Sequence, residues 1–155
     1  MRSAVERSPT QPFELSASQI DISVVCSDFD EAVGFYRDKL GLKVHVDLAI
    51  PEKLAVPSGL APAAFRHLRL RAGNTLIKLV GIEPPPDPVG VSFKAGVRWL
   101  TFHVTDLDAT IRDVSARGVT FISGRLEGLA GAFACAQAPD NILIEFVELY
   151  RRPPA

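Results

Sequence analysis

The hydrophobic and polar positions along the chain repeat as two similar units. Residues 21–33 read DISVVCSDFDEAV and residues 99–111 read WLTFHVTDLDATI, at an offset of 78 residues. In each unit an apolar strand-like run comes first, a Ser/Thr-Asp pair follows, and apolar positions at helical spacing come last. The sequence therefore predicts a duplicated strand–turn–helix unit.

Both helices of this repeat carry signals at their ends. Ser27 or Asp28 is placed to cap the first helix, and Gly41 lies where that helix is predicted to end. Thr105 or Asp106 has the capping position in the second helix. Oxygen-bearing side chains at an N-cap accept backbone N–H bonds, and glycine readily adopts the left-handed conformation that ends a helix.

Three shorter strands are predicted after each helix. They cover residues 42–48, 65–72 and 75–80 in the first unit, and residues 120–123, 132–138 and 142–149 in the second. A two-residue Gly73-Asn74 turn joins the last two strands of the first unit into a hairpin. The Pro/Ala-rich stretch 49–64 is predicted to be a loop or lid. Each unit is therefore βαβββ, and the predicted fold class is α+β.

The composition of the remaining segments predicts the domain organisation. With 155 residues, the chain has the length of one ordinary domain built from two small modules. The polar chain ends are predicted to be tails, and the proline-rich segment between the units is predicted to be a linker. The predicted parts are an N-terminal tail (1–18), a first module (19–82), a linker (83–97), a second module (98–150) and a C-terminal tail (151–155).

The balance of charge argues against two classes of partner. The chain has 17 basic and 18 acidic residues and a net charge of -1, so we expect neither nucleic acid nor membrane as a partner. No apolar run has the length of a membrane span or the form of a signal peptide, and we expect a cytoplasmic protein. Cys26 and Cys135 lie in apolar runs without CxxC spacing, and we expect both to be buried free thiols.

The repeat resembles a known superfamily. The paired βαβββ units, the stretch SDFDEAVGFYRDKLGL and the closing APDNILIEFVEL are similar to the vicinal oxygen chelate superfamily over about residues 19–149. Its members include glyoxalase I, methylmalonyl-CoA epimerase, extradiol dioxygenases, and the fosfomycin- and bleomycin-resistance proteins. The resemblance implies curved sheets around a cavity, a homodimer, and in metal-dependent members a divalent ion bound by His, Gln or Glu.

Four positions align with the metal ligands of that superfamily. They hold Asp21, Lys78, Trp99 and Glu145, of which only Glu145 matches the usual ligand pattern. A protonated lysine has no free lone pair, and tryptophan offers only an N–H donor. The resemblance therefore implies a degenerate metal site and no cofactor, and a divalent metal is expected only if the alignment is different.

Strand alternation places polar and aromatic side chains on the inner face of the sheets. The two-residue turn pairs Arg69 with Lys78 across the hairpin, on the same side as His67. Like charges directly across a strand pair repel, so we expect an acidic neighbour. The candidate inner-face residues are Asp21, Ser23, His67, Arg69, Lys78, Trp99, Thr101, His103 and Glu145.

Two interpretations of this cluster stay open. In the first, Asp21, Arg69, Lys78 and Glu145 form an internal salt-bridge network where the metal would be. In the second, the cluster binds a polar or anionic small molecule, with Trp99 as a flat apolar wall. The candidate ligand-binding residues are Trp99, Arg69, His67, Thr101 and Ser23.

Three functions follow from these interpretations. The first is a metal-independent protein that binds a small organic molecule, comparable to the drug-sequestering resistance proteins. The second is an isomerase, lyase or cyclase, in which Asp21 or Glu145 is the general base and Lys78, Arg69 or His103 stabilises oxyanion charge. The third is a glyoxalase- or epimerase-type metalloenzyme, which requires a different alignment. The loss of the ligand residue types favours the first function.

Overall fold

Two four-stranded mixed sheets, one from each predicted repeat, make up the protein in the computed structural model, which describes residues 11–90 and 92–151. The strand orders are β1-β4-β3-β2 and β5-β8-β7-β6. The first and last strands of each module pair in parallel, and the other pairs are antiparallel. The α+β class with two βαβββ modules is confirmed.

The elements of the first module begin after the N-terminal segment. They are β1 (Ile22–Val25), α1 (Phe29–Val33), β2 (Lys43–Ile50), α2 (Glu52–Ala55), β3 (Phe65–Ala72) and β4 (Thr75–Gly81). A π-helical turn, Gly34–Lys39, continues α1. Asp28 is the N-cap and accepts from the Glu31 N–H, while Gly41 has φ +73°, as the predicted end of the helix requires.

The second module repeats the βαβββ order, but its second strand, β6, has 2 residues where β2 has 8. Its elements are β5 (Trp99–His103), α3 (Leu107–Ala116), β6 (Leu126–Glu127), β7 (Gly131–Gln137) and β8 (Leu143–Leu149). Asp106 caps α3 by accepting from the Ala109 N–H. A 3₁₀ turn, Pro139–Asn141, connects β7 to β8.

Two of the predicted segments are wrong in detail. The stretch predicted as a loop or lid, 49–64, extends β2 to Ile50 and contains α2. The strand predicted at 120–123 is a single bridge from Phe121 to Ala136, and the corresponding strand, β6, lies further along the chain at Leu126–Glu127. The Ser123 hydroxyl accepts the Cys135 N–H, which interrupts regular strand pairing at this point.

Part of each predicted tail lies outside the described residues. Residues 1–10 and 152–155 lie outside the described residues, as does Val91 in the predicted linker. Among the residues that are described, no helix combines the length and the apolar character that a membrane crossing needs.

One hydrophobic core joins the two modules. It contains the helix-facing side chains of both sheets and buried side chains of α1, of the π-helical turn and of α3. Tyr36 and Leu107 are 0% exposed. Three alanines of β7, Ala132, Ala134 and Ala136, are also fully buried. Because their side chains are small, they leave room for bulkier neighbours in the shared core.

Polar contacts also cross between the modules. Asp140 accepts from the Ser27 backbone N–H at 3.1 Å and from the Ser27 hydroxyl at 2.5 Å. Asp140 has φ +60°, a conformation that aspartate tolerates better than most residues. The turn before β8 is thereby attached to the end of β1, which fixes the position of one module against the other at this point.

A second, smaller hydrophobic cluster lies at one end of the first sheet. Ala55 of α2 packs against Phe65 of β3 and Val80 of β4, and all three are buried. Phe65 and Val80 share the sheet face of His67 and Lys78, because side chains alternate along a strand. The segment that contains α2 therefore covers one end of the inner face of the first module.

Candidate functional site

The register of the β3–β4 hairpin brings two cationic side chains together. Leu70 faces Ile77, and Arg69 faces Lys78, as the two-residue turn predicted. The leucine and isoleucine are buried in the core, so Arg69 and Lys78 lie on the opposite, inner face. This part of the sequence prediction is confirmed.

Lys78 has an acidic neighbour, Asp21, directly before β1. Its Nζ lies 3.7 Å from Asp21 Oδ2, and the side chains are 24% and 31% exposed, respectively. The parallel pairing of β1 with β4 sets Ser23 directly beside Lys78, which places Asp21 within reach. The expected acidic partner is therefore present for Lys78.

Arg69 lies between this ion pair and a buried histidine. It faces Lys78 across the hairpin, while Asp21 approaches Lys78 and not Arg69. Arg69 Nε is buried and has no hydrogen-bond partner among the described residues. A buried N–H donor without a partner is costly, so an acceptor that reached this atom would stabilise the protein.

His67 is the most buried polar residue of the inner face. It is 6% exposed, and its ring contacts that of Phe65 edge to face at a centroid distance of 5.9 Å. His67 Nε2 has no hydrogen-bond partner among the described residues. Burial lowers the pKa of His67 from its ordinary value of 6.5, and the charges of Arg69 and Lys78 lower it further. The imidazole is therefore neutral at physiological pH.

We predict that His67 makes the fold less stable in acid. The unfolded chain has the ordinary histidine pKa of 6.5. Below that pH the unfolded imidazole takes up a proton that the folded one refuses, so the free energy of unfolding falls as the pH is lowered through this value. Urea unfolding of the wild type and of His67→Gln, above and below pH 6.5, measures this loss.

His103→Gln is the matched control for that experiment, because His103 is exposed on the second sheet. The loss of stability on acidification should shrink in His67→Gln and persist in His103→Gln. If His67→Gln and the wild type lose equal stability in acid, the burial of a neutral His67 is wrong.

The second module has a different pair at the equivalent positions. Thr101 of β5 lies beside Glu145 of β8, just as Ser23 lies beside Lys78. The Thr101 hydroxyl donates to Glu145 Oε1 at 2.9 Å. Lys78 and Glu145 thus occupy the same place in the two repeats, which agrees with the alignment used for the sequence prediction.

The predicted network of four charged residues is wrong in part. Asp21 and Lys78 form an ion pair, but Glu145 forms no ion pair with Lys78 or Arg69 among the described residues. Each carboxylate instead contacts the neighbouring strand of its own sheet. Symmetry-related sequence positions need not be spatial neighbours, which explains this error.

Trp99 and His103 line a cleft between β5 of the second module and the turn end of the β3–β4 hairpin of the first. Trp99 is 52% exposed, and the cleft of about 390 Å³ also contains Ile22, Ile77 and Thr101. An exposed indole next to apolar side chains of the other module can stack on a flat or apolar group. Trp99 therefore lies on a concave surface, and neither Asp21 nor Lys78 is among the residues that line it.

Metal-ligating residue types are sparse in this arrangement. Within residues 11–90 and 92–151, no cluster of three or more His, Cys, Asp and Glu side chains has a metal-binding arrangement. At the aligned positions, the Asp21 carboxylate faces an ammonium group, and Trp99 supplies no lone pair. These donors do not fit the His- and carboxylate-rich shell of the metal-dependent proteins.

The two thiols differ in their surroundings. Cys26 is buried, and burial raises its pKa to about 12, with a further contribution from Asp140. Cys135 is only half-buried, so its predicted full burial is wrong; it faces Glu145 across the β7–β8 pair. Both are free thiols.

Sequence reasoning missed the contribution of Phe65 and α2. Phe65 lies two residues before His67 on the same strand face, and this alternation was sufficient to place it beside the imidazole. The packing of Ala55 on that face had no comparable signal, because a four-residue helix in a Pro/Ala-rich stretch has no clear periodicity.

Known proteins resemble this chain in sequence and in fold. Residues 19–146 match the sequence model of the Glyoxalase/Bleomycin resistance protein/Dioxygenase superfamily. The uncharacterized protein YwkD of Bacillus subtilis (strain 168) is 27% identical over 128 residues, which cover 82% of this chain and 93% of YwkD.

Solved structures share the fold at lower identity. A glyoxalase family protein from Bacillus cereus is 17% identical with a TM-score of 0.68, over 88% of this chain and 99% of that protein. TnmS3, an antibiotic binding protein from Streptomyces sp. CB03234, is 21% identical with a TM-score of 0.62, over 88% of this chain and 100% of TnmS3.

Proposed function

Because this chain belongs to the Glyoxalase/Bleomycin resistance protein/Dioxygenase superfamily, we propose that it binds a small organic molecule on the inner faces of its sheets without the usual divalent metal. The observation that carries the proposal is the ion pair between Lys78 and Asp21, at two of the four positions aligned with metal ligands. An ammonium group at such a position repels a divalent cation and competes for the one carboxylate beside it.

The second module supports the same conclusion. Trp99, at a position aligned with a metal ligand, presents an apolar surface, and Glu145 is hydrogen-bonded to Thr101. A single carboxylate without imidazole partners is a poor site for zinc or nickel. The residues at the four aligned positions suit an organic ligand with polar and flat parts better than they suit a metal ion.

A relative with the same fold makes this function reasonable. TnmS3 is an antibiotic binding protein, and its fold matches 88% of this chain. The fold therefore supports binding of an organic molecule, while the identity of the ligand depends on the side chains of each protein. In this chain, the side chains that would select the ligand are those on the inner faces of the sheets.

The homodimer expected from the resemblance is part of the proposal, as is a cytoplasmic location. Both modules leave apolar inner-face side chains exposed, including Val25 and Trp99. A second copy of the chain that covers them would remove apolar surface from water. Light scattering of the purified full chain tests this point, and a monomeric mass at all concentrations would contradict it.

An acid–base enzyme is the second candidate. It is favoured by the Asp21 carboxylate, which lies 3.7 Å from the Lys78 ammonium and combines a base with a cation that can stabilise an oxyanion. Asp21→Asn and Glu145→Gln distinguish the two functions. An enzyme would lose turnover in one of these variants and keep its ligand affinity, whereas a binding protein shows no turnover before substitution.

Calorimetry of the full chain tests metal-independent binding. We expect chelator-treated protein to bind 2-naphthoate, and we expect the Kd to change by less than about twofold after Zn²⁺ or Ni²⁺ is added. Trp99 is the one tryptophan of the sequence, so its emission reports whether the ligand lies near the second module. Binding that requires added metal would overturn the proposal.

A further inference from the structure

We propose that the inner face of the first sheet is an oxyanion subsite, formed by His67, Arg69 and Lys78, that takes the ionised acid group of an organic acid. This inference rests on the proposed function, because it names the class of ligand and the part of the site that recognises its charged end. The body of the ligand then extends from that end along the inner face.

Polar atoms without hydrogen-bond partners on β3 favour a bound acceptor group. Arg69 Nε and His67 Nε2 are buried and have no hydrogen-bond partner among the described residues. Two residues on one strand face therefore leave polar atoms unsatisfied, where burial makes an unmade hydrogen bond costly. Arg69 can only donate, and the neutral imidazole can carry its proton on Nε2. A group with several acceptor atoms satisfies both.

Excess positive charge on the β3–β4 hairpin favours a bound anion. Arg69 and Lys78 face each other across the hairpin, and Asp21 is the one acidic side chain that pairs with either of them among the described residues. Like charges at such positions destabilise a sheet unless an anion compensates them. At the equivalent place in the second module, Glu145 is already hydrogen-bonded to Thr101. The two repeats thus differ, and the need for an anion belongs to the first.

The spacing of His67, Arg69 and Lys78 fits a carboxylate group. His67 and Arg69 are two residues apart on one strand, which places their Cα atoms roughly 7 Å apart on the same side. Lys78 is the direct cross-strand neighbour of Arg69, where Cβ atoms are about 5 Å apart. An ionised carboxylate has two oxygens and about four acceptor positions. It can accept from Arg69 and His67 while it stays close to the Lys78 charge.

The covered end of the sheet strengthens these contacts. Phe65 packs on the His67 ring, and the cluster with Val80 and Ala55 shields that end of the inner face from water. Charge-assisted hydrogen bonds gain strength where water is excluded. The subsite therefore combines donors, a positive charge and a shielded wall.

A pair of probes that differ in charge tests the inference. We expect the full chain to bind 2-naphthoate about tenfold or more tightly than 2-naphthamide, which has the same ring system but no charge. Arg69→Gln should remove this preference by weakening naphthoate binding about tenfold or more, and should leave naphthamide within about twofold. Isothermal titration calorimetry measures both affinities.

Arg71→Gln is the matched control. Arg71 lies on the same strand and the same side, but its guanidinium is exposed and contacts His45 Nδ1 at 3.1 Å. The control removes the same charge, and we expect it to change naphthoate affinity by less than about threefold. Arg69→Lys is a second variant that keeps the charge and lacks the Nε donor, and we expect it to lose most of the preference. Thermal unfolding confirms that each variant is folded.

The outcomes separate the inference from the proposed function. Equal binding of naphthoate and naphthamide, or equal losses in Arg69→Gln and Arg71→Gln, would overturn the oxyanion subsite and leave small-molecule binding intact. If the wild type binds neither probe, both the subsite and the proposed function are wrong. A naphthoate preference that depends on Arg69 and survives loss of Arg71 supports both.

Discussion

Tyr36→Ala is expected to lower the free energy of unfolding by about 3–5 kcal/mol, the cost of removing a large aromatic side chain from a close-packed core. Tyr36 is 0% exposed and belongs to the core that both modules share. Its ring meets that of Phe35 edge to face at a centroid distance of 5.0 Å. Since a single domain is stable by about 5–15 kcal/mol, this one substitution removes a large fraction of its stability.

Tyr36→Phe is the matched control, and it has a different expected sign. The Tyr36 hydroxyl is buried and has no hydrogen-bond partner among the described residues, and burial raises its pKa. Removing the hydroxyl ends a desolvation cost, so stability should stay the same or rise by about 1 kcal/mol. Urea unfolding measures both variants. A loss in Tyr36→Phe as large as in Tyr36→Ala would show that the hydroxyl has a partner and that this account of the core is wrong.

Gly131→Ala is expected to cost about 3 kcal/mol or more, because its new methyl group has no space. Gly131 begins β7 and faces Leu149 of β8. A Cβ at this position would overlap the Glu148 carbonyl oxygen and lie 2.9 Å from Leu149 Cα. Both obstacles are backbone atoms, so relief requires β7 and β8 to separate at this end. The expected result is a lower urea midpoint and faster amide exchange along the pair.

Gly124→Ala controls for the general effect of replacing glycine. No atom lies within 4 Å of the Cβ that would be added at Gly124. Both substitutions restrict the unfolded chain equally, so the difference between them isolates the clash in the folded state. We expect Gly124→Ala to change stability by about 0.5 kcal/mol or less. Similar losses in the two variants would contradict the close approach of β7 and β8.

The repeat and the hairpin could be predicted because local signals determine them. The offset between the SDFDEA and TDLDAT stretches shows two copies of one unit. The Gly73-Asn74 turn fixes the pairing of every residue on β3 and β4, including Arg69 with Lys78. A two-residue turn leaves only one register, and alternation then assigns each side chain to a face.

Long-range contacts could not be predicted in the same way. The sequence alignment placed Glu145 at a position equivalent to Lys78, but equivalence by symmetry does not bring two residues into contact. Glu145 instead accepts from Thr101, and Asp21 alone reaches Lys78. Likewise, the missing partners of His67 Nε2 and Arg69 Nε depend on every neighbour at once. No local pattern of residues reports such an absence.

The strand predicted at residues 120–123 is wrong because a local apolar pattern does not determine strand pairing. A short apolar run is typical of a strand, but strand pairing depends on the partner that is available. Phe121 forms one bridge to Ala136, after which the Ser123 side chain takes the backbone donor of Cys135. The second sheet consequently has β6 further along the chain, in a segment with glycines on both sides.

A member of the superfamily that binds an organic ligand at a degenerate metal site is expected to bind no divalent metal ion. Native mass spectrometry of the purified full chain, before and after incubation with Ni²⁺, Zn²⁺, Co²⁺, Mn²⁺ or Fe²⁺, tests it most directly. We expect no stoichiometric metal in either sample and a mass increase on addition of 2-naphthoate. One metal ion bound per site, retained on dilution and lost in Glu145→Gln, would contradict it.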